Sequence, residues 1–288
     1  PFTRGRERSR DPKSILEEIQ SMVDKNFKEI TLLGQNVDSF LWYGGGLKKD
    51  FNKATEMAQA TAVDFSQLLD MCATKFPKTR FRFSTSNPQD MNLDVIHTMA
   101  KHKNICKYIH LPVQSGNSDL LKKMNRGYTR EWYLNRIEAI HRILPGTTIS
   151  TDIITGFCGE TEEQHQDTLS LLEEVKFSAA FMYKYSERPK TLAERKYEDD
   201  VPEEVKQRRL TEIIDLQHKH QLEFYENEIG KEYEVLIEKT SKKSEDEFMG
   251  RNTHGSTIIF PKGNHKIGDY VFVKTISCTK ASMRAELI

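Results

Sequence analysis

Six short segments hold most of the polar, turn-forming chemistry in this chain of 288 residues. In GQNVDSF, Gly34 lets the backbone approach a ligand, and the Gln35 and Asn36 amides offer both donors and acceptors. STSNPQD, residues 84–90, is a hydroxyl-rich turn suited to ribose hydroxyls, and equally an ordinary entry to a helix. HLPVQSGN delivers Gln114, and MNRGYT delivers Arg126, a partner for a carboxylate or a member of a structural ion pair. DIITGFCGETEE turns at Gly156 and Gly159, places Glu160 after them, and offers Thr161, Glu163 and Gln164 as caps for a following helix. YKYSERPKT closes the series. Singly, each segment reads as loop geometry; five in register on one edge of a fold would make a site.

The elements that must position them alternate. Runs rich in β-branched and aromatic residues, EITLLG (29–34), RFRFST (80–85), KYIHLPV (107–113), TTISTDIITGF (147–157) and SAAFMYKY (178–185), predict strands. Between them, apolar residues at three-to-four spacing predict helices over 64–76, 93–102, 128–144 and 161–175. This rhythm implies a parallel sheet or barrel covered by helices, with function at the carboxyl ends of the strands. Residues 40–62, with a triple glycine and weak periodicity, interrupt it and read as a surface insertion without assigned chemistry.

A second change comes near Val201. A long helix is expected from there to Gly230, and beyond it the period switches to two over 232–239, 247–251, 256–261, 270–277 and 283–288. Five short strands in so few residues make a small β-barrel of the OB-like or TRAM-like size class. The expected division is a core over 1–226 and the small barrel over 227–288. Ten Lys and Arg stand against nine acids from Glu228 onward, so the barrel's net charge identifies no partner.

Composition sets outer limits. Forty-three basic residues balance forty-three acidic ones, so a polyanion would have to be held by local patches. No stretch approaches eighteen apolar residues, which excludes a membrane-spanning helix. Cys72, Cys106, Cys158 and Cys278 are scattered singly, as expected of a reduced, cytoplasmic protein with no complete metal site in this chain. The first residues, PFTRGRERSR, set Arg4, Arg6, Arg8 and Arg10 around Glu7 and begin at Pro1 without Met. They read as a basic arm or as the edge of a site whose other half lies outside the sequence.

In this order, GQNVDSF, RFSTSNPQDM, HLPVQSGN, MNRGYT, STDIITGFCGETEE and FMYKYSERPKT resemble the radical S-adenosylmethionine (SAM) methylthiotransferases, and the C-terminal strands resemble their TRAM domain. GQNV is similar to the turn of the MiaB-type tRNA enzymes of that family. The resemblance implies an α/β fold, a partial (βα)6 TIM-like barrel followed by a small all-β TRAM barrel. It implies SAM lying across the strand ends and two [4Fe-4S] clusters in the intact protein. Gly34, Gln35 and Asn36 would lie near the methionine moiety, and Ser84, Ser86, Asn87 and Pro88 near the ribose or carboxylate. Gln114 and Arg126 would add polar contacts, and Asp152, Ile154, Gly156 and Glu160 would line the adenine side, unless Asp152 and Glu160 only pin their loop.

The implied reaction methylthiolates carbon-2 of N(6)-isopentenyladenosine next to the anticodon of tRNA. One SAM donates a methyl group to sulfur and another yields the radical that removes hydrogen from that carbon. Threonylcarbamoyl-adenosine in tRNA, a ribosomal protein, or RNA binding without catalysis are the alternatives. The partners implied are the tRNA anticodon stem-loop, an electron donor protein and a sulfur source. Phe2, Arg4 and Arg6 would meet the RNA loop, and Lys239, Lys242, Lys243 and Arg251 its phosphates. The family's Cys-x3-Cys-x2-Cys motif would end just upstream of Pro1, so cluster ligands are expected outside this sequence.

Overall fold

The computed structural model describes residues 7–84 and 87–288, and the chain packs as two compact units, Pro1–Cys106 and Lys107–Ile288. In the first unit, α1 (Pro12–Asp24) begins where the Asp11 carboxylate accepts the Lys13 amide at 2.9 Å and Pro12 takes the first helical position, where no amide is needed. Next come β1 (Glu29–Leu32), β2 (Leu41–Trp42), α2 (Glu56–Ala60), β3 (Val63–Asp64), α3 (Phe65–Lys75), β4 (Arg80–Phe83) and α4 (Leu93–Lys101). β1 and β4 pair in parallel from Glu29↔Arg80 to Leu32↔Phe83, and Phe81 bridges onward to Ile105.

β4 is buried throughout although it reads RFRF. Its Arg82 meets Glu29 at 2.9 Å, which makes the buried charge tolerable. Phe65, Leu69, Phe81, Met91, Ile96, Met99 and Ile105 form the packed interior of this unit. The predicted insertion is a small folded excursion. β2 and β3 close it as an antiparallel pair, and inside it the Tyr43 ring meets Phe51 while its hydroxyl donates to the Leu47 carbonyl at 2.7 Å.

The second unit contains β5 (Tyr108–His110), α5 (Ser118–Lys123), α6 (Arg130–Ile143), β6 (Thr148–Thr155), α7 (Glu162–Val175), β7 (Ala179–Lys184), α8 (Leu192–Lys196) and α9 (Glu203–Glu226). β5, β6 and β7 make a parallel sheet in sequence order. Side chains at the helix starts satisfy the exposed amides: Asn117 caps α5, Thr129 caps α6, and Thr161 with Gln164 forms a reciprocal capping box on α7. β8 (Glu232–Thr240), β9 (Glu247–Arg251), β10 (Thr257–Pro261), β11 (Tyr270–Cys278) and β12 (Met283–Leu287) close into a barrel in the order β10-β12-β11-β8-β9. Val235, Ile237, Phe248, Ile258, Phe260, Val271, Val273 and Met283 fill it, and Tyr225 of α9 joins that core. The fold is therefore the expected α/β class, parallel strands alternating with helices, followed by a small closed β-barrel.

Candidate cofactor site and RNA-facing surface

In the first unit the turn after β1 and the turn after β4 meet on one carboxylate. Asn36 donates through Nδ2 to Asp90 Oδ2 at 2.6 Å, and Asn87 donates to the same oxygen at 3.2 Å. Lys48, from within the insertion, stands 3.6 Å from the other Asp90 oxygen. Asp90 orients both turns; it lies inside the segment STSNPQD, but its two partners sit in different segments, so nothing local in the sequence marks its role. Asn36 Oδ1 is left buried with no donor among the described residues. Gly34 and Gln35 are exposed, Ser84 is half-buried and Pro88 is buried.

Residues Glu7 to Arg10 lie against the same turn. The Ser39 hydroxyl bonds both to the Glu7 carboxylate and to the Asn36 carbonyl, and Ser9 Oγ accepts the Leu41 amide at 2.9 Å. With α1 and β1 they line a cleft of about 770 Å³ that reaches Gly34, Gln35 and Asn36. Phe2, Arg4, Arg6 and Ser86 lie outside the described residues.

In the second unit the open face of the β5-β6-β7 sheet carries the predicted polar positions. The register sets His110 beside Ser150, Asp152 beside Phe181 and Ile154 beside Tyr183. Phe181 and Tyr183 are 50% and 55% exposed, so both rings stand uncovered on the sheet. His110 reaches Asp152 at 3.4 Å and touches Phe181 edge-on. Gln114 lies at the exit of β5, buried and at φ +72, with its amide bonded to the Asp152 carbonyl and its carbonyl to the Ile154 amide. That left-handed backbone costs a non-glycine residue free energy and is held by those two bonds. Arg126 is half-buried just past α5 and makes no ion pair among the described residues. Sequence reading did not single out His110, Phe181 or Tyr183; the alternation in KYIHLPV and SAAFMYKY was the signal that could have placed them on one face.

The loop after β6 is pinned by Glu160. Its carboxylate accepts from the Gly156 amide at 2.6 Å and the Thr155 hydroxyl at 3.3 Å, and pairs with Arg209 of α9 at 2.9 Å. Both side chains are buried. Gly156 has φ +72, and a Cβ there would stand 2.4 Å from Lys206 Cγ. Cys158, within this loop, is buried with Phe157 against Leu120, and burial pushes its thiol above its ordinary value. Arg209 also reaches Glu162, and Arg208 bridges Glu162 and Glu212. Hydrogen bonds from Arg208, then from Arg209, hold the Glu162 carboxyl down at about 2.

On the small barrel Lys239, Lys242 and Lys243 are exposed on the β8–β9 hairpin, whereas Arg251 is tied to Glu238 at 2.6 Å. Among the described residues no group of three or more His, Cys, Asp or Glu could hold a metal, and no helix is long and apolar enough to cross a membrane.

The model of the radical SAM superfamily matches residues 1–172, and that of the TRAM domain matches residues 226–288. The chain is 62% identical over its whole length to a protein of Flavobacterium johnsoniae named tRNA-2-methylthio-N(6)-dimethylallyladenosine synthase. It is 61% identical to a protein of the same name from Flavobacterium psychrophilum, and 52% identical to one from Amoebophilus asiaticus, again over all 288 residues. It spans 60%, 60% and 59% of the length of these three relatives.

Proposed function

The chain belongs to the radical SAM superfamily, and from that premise we propose that the full-length protein is a tRNA methylthiotransferase acting on carbon-2 of N(6)-isopentenyladenosine beside the anticodon. The observation that carries this reading is identity of 48% or more, across essentially the whole chain, to relatives bearing that synthase name. The superfamily implies SAM and iron–sulfur chemistry. Two [4Fe-4S] clusters, an electron donor protein, a sulfur source and a cytoplasmic setting belong to the proposal. So does the division into a radical SAM core over 1–226 and a TRAM domain over 227–288.

The described residues suit SAM and do not suit a cluster. In the first unit Asn36 Oδ1, a buried acceptor without a donor among the described residues, fits an amino group; in the second, the uncovered rings of Phe181 and Tyr183 beside Asp152 fit a nucleoside. A cluster needs thiolates together, whereas the four cysteines are separate and free. SAM supplies the methyl group and the hydrogen-abstracting chemistry. Gly34, Gln35, Asn36, Ser84, Asn87 and Pro88 would hold its amino-acid and ribose side. Gln114 and Arg126 would add polar contacts, and Asp152, Ile154 and Gly156 would line the adenine side, with Glu160 fixing the loop that presents Gly156. These residues bind, orient and exclude water, and orientation is what selects one carbon–hydrogen bond. Lys239, Lys242 and Lys243 would meet tRNA phosphates.

Deleting the gene and analysing tRNA nucleosides by mass spectrometry tests the reading. The isopentenylated precursor should accumulate and its methylthio form should vanish. Persistence of the methylthio nucleoside, with a change on threonylcarbamoyl-adenosine or a ribosomal protein instead, would overturn it.

A further inference from the structure

We propose that Tyr108, Ser150 and His110 are positioning residues that set the Asp152 carboxylate for the donor groups of the nucleoside part of SAM, an inference that rests on the SAM reading above. Tyr108 Oη lies 2.6 Å from Ser150 Oγ, and His110 Nδ1 lies 2.9 Å from the same oxygen. His110 Nε2 lies 3.4 Å from Asp152 Oδ1. A carboxylate only accepts, so the relay assigns the imidazole proton facing it to Nε2. In that tautomer Nδ1 accepts the single proton of Ser150, and Ser150 in turn accepts from Tyr108. With that assignment the protons run one way, from Tyr108 towards Asp152, through a fully buried Ser150.

Both ends of the relay are fixed. At the Asp152 end, Phe181 packs edge-on against the imidazole with centroids 5.7 Å apart. At the other end, the turn between β9 and β10 abuts the Tyr108 ring: Gly255 sits at φ +81, and a Cβ there would stand 2.8 Å from Tyr108 Cδ2. Thr148 anchors that turn by donating to the His254 carbonyl at 2.7 Å. The small barrel therefore braces the foot of a relay whose head is the carboxylate on the open sheet face. Asp152, 30% exposed at its side chain, is free to accept from a ligand there while His110 holds its other side.

The test uses the full-length protein, reconstituted with its clusters, titrated calorimetrically with S-adenosylhomocysteine. His110→Ala should weaken binding about tenfold, as expected for losing a hydrogen bond to a charged group. His110→Gln, whose amide can still donate to Asp152, should stay within about twofold of wild type. Ser150→Ala and Tyr108→Phe should each weaken binding by roughly threefold. Ser150→Ala added to His110→Ala should cost nothing further, because the serine acts only through the histidine. Thermal midpoints establish that each variant folds. Unchanged affinity in His110→Ala, failure of a folded His110→Gln to restore it, or multiplying losses in the double variant would each overturn the relay alone. Failure of the wild type to bind would overturn the SAM reading and the relay with it.

Discussion

At the scale of single residues, the loop after β6 is the most constrained part of the site. Gly156 cannot take a side chain: Lys206, whose Cγ a Cβ would strike, is itself buried and tied to Asp199 at 2.5 Å. Gly156→Ala should lower stability by roughly 2 kcal/mol, from the left-handed backbone and the clash together. Glu160→Ala should cost about 3 kcal/mol, because it removes the buried partner of the Arg209 guanidinium and leaves it only the half-exposed Glu162. Urea unfolding of each variant checks both values, and wild-type midpoints would contradict them. The neighbouring Glu162 gives a pH signature. Its carboxyl is depressed from 4.5 to about 2 in the folded chain, so its contribution is complete above pH 4.5 and is lost as pH falls towards 2. Wild type should therefore melt above Glu162→Gln at neutral pH, with the gap closing across that window. The gap should be below about 1 kcal/mol because the ion pair is half exposed and screened.

At the scale of elements, the β8–β9 hairpin carries the RNA prediction. Replacing Lys239, Lys242 and Lys243 by Ala should weaken binding of an anticodon stem-loop at every sequence and make log Kd less steep in log salt, by about 0.7 per lysine on single-stranded RNA. Arg251→Ala should change the slope less, since Glu238 already holds that guanidinium. Anisotropy titrations across a salt series read both, and an unchanged slope in the triple variant would remove these lysines from the interface.

The strands and long helices were legible because their periods are strong and local: β6 spans Thr148–Thr155 within the predicted 147–157, and α9 spans Glu203–Glu226 within the predicted 201–230. The short helices α5 and α8, of six and five residues, are too brief to show a period. Within the site, the loop glycines and caps could be read directly, as the Thr161–Gln164 capping box shows. What could not be read were pairings across the fold. Glu160 finds Arg209 forty-nine residues away, and Asn36 finds Asp90 fifty-four away. His110 meets Ser150 forty residues away only because the parallel register puts them side by side.

At the scale of the whole molecule, the proposal gives these 288 residues one surface for a nucleoside cofactor and another for RNA. Catalysis is proposed for the full-length protein, of whose named relatives this chain spans about 60%. The most direct measurement is anaerobic single turnover of that protein, reconstituted with iron and sulfide and given SAM, a reductant and an anticodon stem-loop containing N(6)-isopentenyladenosine, with the nucleosides read by mass spectrometry. The account predicts a methylthio group on carbon-2 of that adenosine and none when the same stem-loop carries unmodified adenosine. Cleavage of SAM with the isopentenylated nucleoside left intact, or methylthiolation of a different substrate, would contradict it.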